Sequence, residues 1–140
     1  MYIFYAFLSA IFAAGVAILG KLGLKGLDST LATTVRSVIM AGFLVVTSAL
    51  LGKLSQISAG MFSGKQWALI VGSGIAGALS WLFYFFALQN GNAGAVSAID
   101  RMSLVFVILL AAVFLGESLT WKIGLGAVLM ALGAILIVLK

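Results

Sequence analysis

The sequence predicts an all-α integral membrane protein of five transmembrane helices, and three observations carry that prediction. Apolar residues make up 64% of the 140, against roughly 45–50% in soluble globular domains. Charged residues are only 8%, where about 25% is usual. The apolar residues also fall into five long runs separated by short polar breaks. A single domain of this length cannot hide so much apolar surface from water, because small folds expose much of what they carry. Its solvent is therefore lipid.

A helix needs about 20 mainly apolar residues to cross a hydrocarbon core of about 30 Å. Span 1, residues 2–20, has no charge and ends before Lys21 and Lys25. Asp28-Ser29-Thr30 offers N-cap side chains for span 2, which covers about residues 31–51 and closes at Gly52-Lys53. The stretch from Lys53 to Gln66 is the longest polar connection, with Gly60 and Gly64 as breakers. Span 3 takes about residues 67–88, and Gln89-Asn90-Gly91-Asn92 makes a tight turn. Span 4 covers about residues 93–115, followed by the short turn Gly116-Glu117-Ser118-Leu119-Thr120. Span 5 covers residues 121–139. No run alternates apolar and polar residues at strand length, so a β-barrel is not expected. Nor is a cleaved leader, since no Lys or Arg precedes span 1 and its apolar run exceeds the roughly 7–15 residues of such a segment.

What is missing narrows the chemistry. There is no Cys and no His, which removes thiolate and imidazole metal sites and imidazole general-base catalysis. No catalytic residue, metal or cofactor is expected. Eight Lys and Arg against three acids give a net charge of +5, too few charges to track a nucleic-acid backbone. An odd number of spans puts the termini on opposite faces. The face that holds the N-terminus has Lys53, Lys65 and Lys122; the other has Lys21, Lys25 and Lys140. The positive-inside rule has little to act on, so either Arg36 and Arg101 set the orientation, or a partner or subtler cues fix a single one, or the chain inserts both ways.

Three ionisable residues fall inside spans: Arg36, Asp100 and Arg101. Excluding the Asp-Arg pair would leave span 4 only about 22 Å long at 1.5 Å per residue, too short for the core. Counted from the same face, Arg36 lies about 8 Å and Asp100 about 10 Å along their helices. Intramembrane charge is costly and usually faces a partner or a wet cavity. The arginines either snorkel to headgroups with Asp100 beside them, or Asp100 pairs with Arg36 and handles a proton or substrate. Adjacent helical residues point about 100° apart, so Asp100 and Arg101 face different ways. Glu117 reads as a turn residue beside Lys122, and Asp28 as a cap.

In span 3, Ser73, Gly77, Ser80 with Trp81, and Tyr84 share one helical stripe. Such a stripe suits either a cavity wall for a small molecule or helix packing with an interfacial aromatic belt. Ser9 and Ser37 add hydroxyls to a candidate pocket, although lone hydroxyls in spans usually bond their own backbone. Trp67, Trp121, Tyr2 and Tyr5 begin their spans as interfacial anchors. Small residues recur every fourth position at Ala6, Ala10 and Ala14, at Ser73 and Gly77, and at Ala127 and Ala131, a spacing that lets helices approach closely in lipid.

The order of these segments resembles the EamA repeat of the drug/metabolite transporter superfamily over essentially the whole chain. The resemblance rests on Arg36 six residues into span 2 and on Ala78-Leu79-Ser80-Trp81 through Ala87-Leu88-Gln89 in span 3. Phe114-Leu115-Gly116-Glu117-Ser118-Leu119, Gly124-Leu125-Gly126-Ala127 and Gly133 complete it. Most members of that superfamily resemble two such repeats fused and inverted; this sequence resembles the members with one. It departs from many relatives in having Asp100-Arg101 and no Pro in span 4. The four-span multidrug relatives work as antiparallel dimers with a carboxylate in their first span, and span 1 here has none.

The resemblance implies a secondary transporter of small organic metabolites or drugs in the cell membrane, not an enzyme. Its expected partners are a small-molecule substrate, the lipid bilayer, and a second copy or a related half-transporter, with no nucleic acid. Inverted repeats supply the two related conformations of alternating access, and a single half obtains them from an oppositely inserted copy or from a partner chain. The candidate substrate residues are Ser9, Ser37, Ser73, Trp81, Tyr84 and Asp100, with Arg36, Asp100 and Arg101 as the charge network. The alternative function is a non-transporting assembly or regulatory subunit of a larger membrane complex.

Overall fold

The computed structural model describes residues 1–58 and 60–139. Lys140, counted above among the basic residues of the second face, lies outside the described residues. The helices are α1 (Tyr2–Gly23), α2 (Ser29–Leu50), α3 (Gly64–Asn90), α4 (Ala93–Asp100), α5 (Ser103–Leu110) and α6 (Trp121–Val138). A 3₁₀ turn covers Leu54–Gln56 and a π-helical turn covers Ala111–Leu115. Five helical stretches are long and apolar enough to cross a membrane, of 22, 22, 27, 23 and 18 residues, with α4, α5 and the π turn together forming the fourth.

The ends of these helices follow from their capping chemistry. Asp28 has extended backbone and its carboxylate accepts from the Leu31 amide at 2.9 Å, which starts α2 two residues earlier than the hydropathy expects. Gly52, at φ 66°, closes α2 in a paired arrangement: its amide donates to the Ala49 carbonyl and the Lys53 amide to that of Ser48. The start of α3 moves upstream of Trp67 because Ser63 and Gln66 cap reciprocally. The Ser63 amide donates to Gln66 Oε1 at 2.8 Å and the Gln66 amide to Ser63 Oγ at 3.3 Å. Thr120 caps α6 by accepting from the Ile123 amide.

Span 4 departs from the single helix that the sequence predicts. Up to Arg101 the backbone bonds are α-helical, the Arg101 amide donating to the Ser97 carbonyl. Met102, Leu104 and Val105 then donate to Ile99, Arg101 and Met102, three residues back instead of four. This is the tighter 3₁₀ pattern. After α5 the pattern widens at the π turn, which ends at Gly116 in the left-handed region at φ 69°. No proline is involved.

The contacts divide the chain into two units, Met1–Lys21 with the chain from Asn90 on, and Leu22–Gln89. In the first, α6 packs along α4 and meets α5. Its buried residues are alanines: Ala17, Ala127 and Ala134. The Ala127/Ala131 row of span 5 thus lies at a packed face, Ala131 being half-buried, whereas Ala6, Ala10 and Ala14 are exposed. Lys21 Nζ donates to the Gly91 carbonyl at 2.9 Å, fixing the end of α1 to the turn before α4. The second unit buries larger side chains, Leu24, Phe85 and Leu88, with two hydroxyl residues, Ser29 and Thr33. Here Gln89 Nε2 donates to the Leu27 carbonyl at 3.1 Å, tying the end of α3 to the segment before α2. Most large apolar side chains of both units are exposed, as a lipid solvent permits.

Candidate functional site

The candidate site grows from one face of α2. Ser29, Thr33, Arg36 and Ser37 stand at i, i+4, i+7 and i+8, so they share a stripe. The hydroxyls of Thr33 and Ser37 donate to the carbonyls four residues back, Ser29 at 2.7 Å and Thr33 at 2.8 Å. Such back-bonding spends the proton of each hydroxyl on its own helix. Ser29 Oγ is buried with no hydrogen-bond partner, and so is Arg36 Nη1. Two orphaned polar atoms two turns apart on one helix face are unusual, since buried polar groups are nearly always paired.

Across from this face, α3 presents Trp81, Tyr84, Phe85 and Leu88 at i, i+3, i+4 and i+7. The Arg36 guanidinium carbon lies 3.9 Å from the Trp81 ring centroid and 5.2 Å from that of Phe85. Both are within cation–π range. The rings brace one another, Trp81 on Tyr84 edge-on at 5.6 Å, Trp81 on Phe85 at 5.9 Å and Tyr84 on Phe85 at 5.9 Å. An arginine inside a span is thereby held by π faces. The one carboxylate of its own unit, Asp28, is engaged at the start of the helix. Stacking occupies the flat face of a guanidinium and leaves its N–H edge free to donate.

Arg36 also forms part of the wall of a groove of about 420 Å³ that follows α2. The other lining residues are Leu27, Asp28, Leu31, Ala32, Val35 and Ile39. Except for the Asp28 and Arg36 side chains, this wall is aliphatic.

Of the residues singled out from sequence, Arg36, Trp81 and Tyr84 come together, with Ser37 beside Arg36 on α2. Ser73 is exposed on α3, two turns from Trp81, and an added side-chain carbon at Gly77 would meet open space. Ser9 and Asp100 belong to the other unit. Ser9 is exposed on α1, Asp100 is half-buried at the end of α4, and Arg101 is exposed. Two residues of the cluster escape the sequence reading. Phe85, the second ring under Arg36, is one helical turn beyond Trp81, and the signal was its place on the Trp81–Leu88 stripe. Ser29, read only as a capping candidate, is fully buried.

The model of the EamA-like transporter family matches residues 1–139. A protein of a Sinorhizobium species named "uncharacterized transporter in cobO 3'region" is 37% identical over 134 residues, covering 96% of this chain and 94% of that one. No solved structure matches the chain. The chain belongs to the EamA-like transporter family. It is a multi-pass membrane protein of the transporter type.

Proposed function

We propose that this EamA-like chain is a secondary transporter that moves small organic metabolites or drugs across the cell membrane. It works by alternating access as a dimer of five-span chains, two copies inserted in opposite senses or one copy with a related half. The observation that carries this reading is Arg36, an arginine one-third of the way along a span, stacked on Trp81 beside a groove. Arg36 is half-buried, and a charge within a span usually faces a partner or a wet cavity, which a substrate path supplies. The Sinorhizobium relative, itself named a transporter, has nearly the same length. An odd set of spans presents opposite faces in two oppositely inserted copies, which is the inversion that alternating access uses.

The near-even distribution of lysines supports insertion in both senses. The chain has no cysteine, so single cysteines at Lys53 and Lys25 report topology directly. In cells, each site labels partly from outside and partly from inside with a membrane-impermeant maleimide. Labelling of each from one side only overturns the antiparallel homodimer and leaves pairing with a different half. Reconstituted alone in liposomes with an ion gradient imposed, the dimer accumulates its substrate. A chain that accumulates none of a broad panel of organic solutes, and copurifies with a fixed partner complex, is a subunit instead.

A further inference from the structure

The geometry points to a substrate class: we infer that Arg36 is the recognition group for a small amphiphilic organic anion, its carboxylate on the guanidinium edge and its apolar body along the α2 groove. This deepens the transporter reading and rests on it. The first support is the state of the guanidinium. One face is covered by Trp81 at 3.9 Å, and Nη1 is buried without a hydrogen-bond partner. π faces attract a cation but accept few hydrogen bonds, so stacking leaves N–H donors of the edge unmet; Nη1 itself is closed off, and a ligand meets the guanidinium where Arg36 forms the groove wall. In a span, where water does not supply acceptors, a planar two-point acceptor such as a carboxylate meets that need best.

The second support is the groove. Its wall consists of Leu27, Leu31, Ala32, Val35 and Ile39 with one charge of each sign, Arg36 and Asp28. Arg36 lies eight residues beyond Asp28, the N-cap of α2, or about 12 Å along the axis. A carboxylate is repelled from the Asp28 end and drawn to the Arg36 end, so the groove is polarised along its length. An anionic ligand enters with its carboxylate toward the membrane interior and its apolar body toward the start of α2. A membrane lipid has the reverse polarity, with its charged head at the surface and its chains inward. The groove therefore suits a free organic anion and not a lipid standing in the bilayer.

The test is a binding measurement that needs no flux. The full chain is placed in phosphatidylcholine nanodiscs with Trp67→Phe and Trp121→Phe, so that Trp81, the remaining one of three tryptophans, reports on the site. Octanoate and 4-phenylbutyrate are titrated against their neutral amides and against octylammonium. Both carboxylates change Trp81 emission saturably, and the amides and the ammonium do so at least tenfold more weakly. Arg36→Gln weakens carboxylate binding at least tenfold, and Arg36→Lys, which keeps the charge but not the planar fork, falls between. Circular dichroism and elution volume identify any variant that has lost its fold; if Arg36→Gln is one, Arg36→Lys with Asp28→Asn carries the test, the second change tightening carboxylate binding. Equal response to carboxylate and amide, or unchanged affinity in folded Arg36 variants, overturns the assignment. So does competition by phosphatidylglycerol discs with no response to the soluble anions, which would make the acceptor a lipid phosphate. Anion binding without accumulation in liposomes leaves this site standing and removes the transporter reading; accumulation of cations or neutral solutes with no anion binding does the opposite.

Discussion

Two regions of this molecule place charge within a span, and they accommodate it differently. In the unit of α2 and α3, the helix that carries Arg36 is regular through all its 22 residues, and the charge is met by side chains: Trp81 and Phe85 beneath it, Tyr84 bracing both. In the other unit, Asp100 and Arg101 stand where the helix itself changes, at the end of α4, just before the backbone tightens to bonds three residues apart. The grooves differ accordingly. That along α2 has a charge of each sign in its wall, while the one of about 190 Å³ beside Met102 is lined by Ile99, Met102, Ala134, Ile135, Val138 and Leu139 and is wholly apolar. The contrast separates holding a charge from moving one. A cation on aromatic faces is fixed by packing, whereas a carboxylate at a change of helical pitch sits where the backbone has alternatives to choose from.

The largest effect that tests this contrast is on coupling. Asp100→Asn removes the single carboxylate found within a span and is expected to reduce driven uptake in liposomes to the level of empty vesicles, with insertion and dimer formation intact. Normal uptake by this variant would end the idea that the pitch change is the moving part.

Next in size is the stability of the aromatic side. Trp81→Leu leaves a desolvated guanidinium with one ring instead of two and costs about 2 kcal/mol, measured by reversible unfolding in mixed micelles. Arg101→Gln, at an exposed position, stays within about 0.5 kcal/mol by the same measurement. Similar costs for the two would show that both charges are held alike and break the comparison. The smallest effect sharpens its backbone half. Gly116 ends the π turn at φ 69° with open space around it, so Gly116→Ala carries only the penalty of left-handed backbone, about 1 kcal/mol. A neutral result would mean that the π turn re-forms as ordinary helix at no cost.

The helices and several of their ends were legible because they rest on local chemistry: Asp28 as a cap and Gly52 as a stop. Thr120 reads from sequence only as a turn residue although it caps α6, and of the expected Gln89–Asn92 turn only Gly91 and Asn92 lie outside the helices, α3 running on through Asn90. The start of α3 was not, since hydropathy marks Trp67 while the Ser63–Gln66 capping pair begins the helix in the polar stretch before it. Trp81 and Tyr84 were legible together as one stripe and Arg36 as a charge within a span, but the pattern did not join the arginine to the rings. Depth along the helices matches Arg36 with Asp100 when charges alone are compared. The same count places Trp81 nine residues from the end of α3, about 13 Å, against about 10 Å for Arg36 from the start of α2, so the ring could have been matched too. The departures in span 4 had no signal of the usual kind. Neither Pro nor Gly occurs between Ala95 and Leu115, and an apolar run reads the same whether its hydrogen bonds span three, four or five residues.

That change of pitch has an angular consequence. Each residue of an α-helix advances about 100° around the axis and each residue of a 3₁₀ stretch about 120°. The backbone from Arg101 to Val105 therefore runs ahead of a uniform helix, and the wider π turn at Ala111–Leu115 falls back again. Between the two, Phe106, Ile108 and Leu110 point in directions that a helical wheel drawn at one pitch assigns to other residues. Span 4 behaves as a shaft with a section turned against its two ends. The two ends keep a common register only because the tightened and the widened turns offset each other, so any exchange of three-residue bonds for four-residue ones near Arg101 would have to be matched by the opposite exchange at Ala111–Leu115.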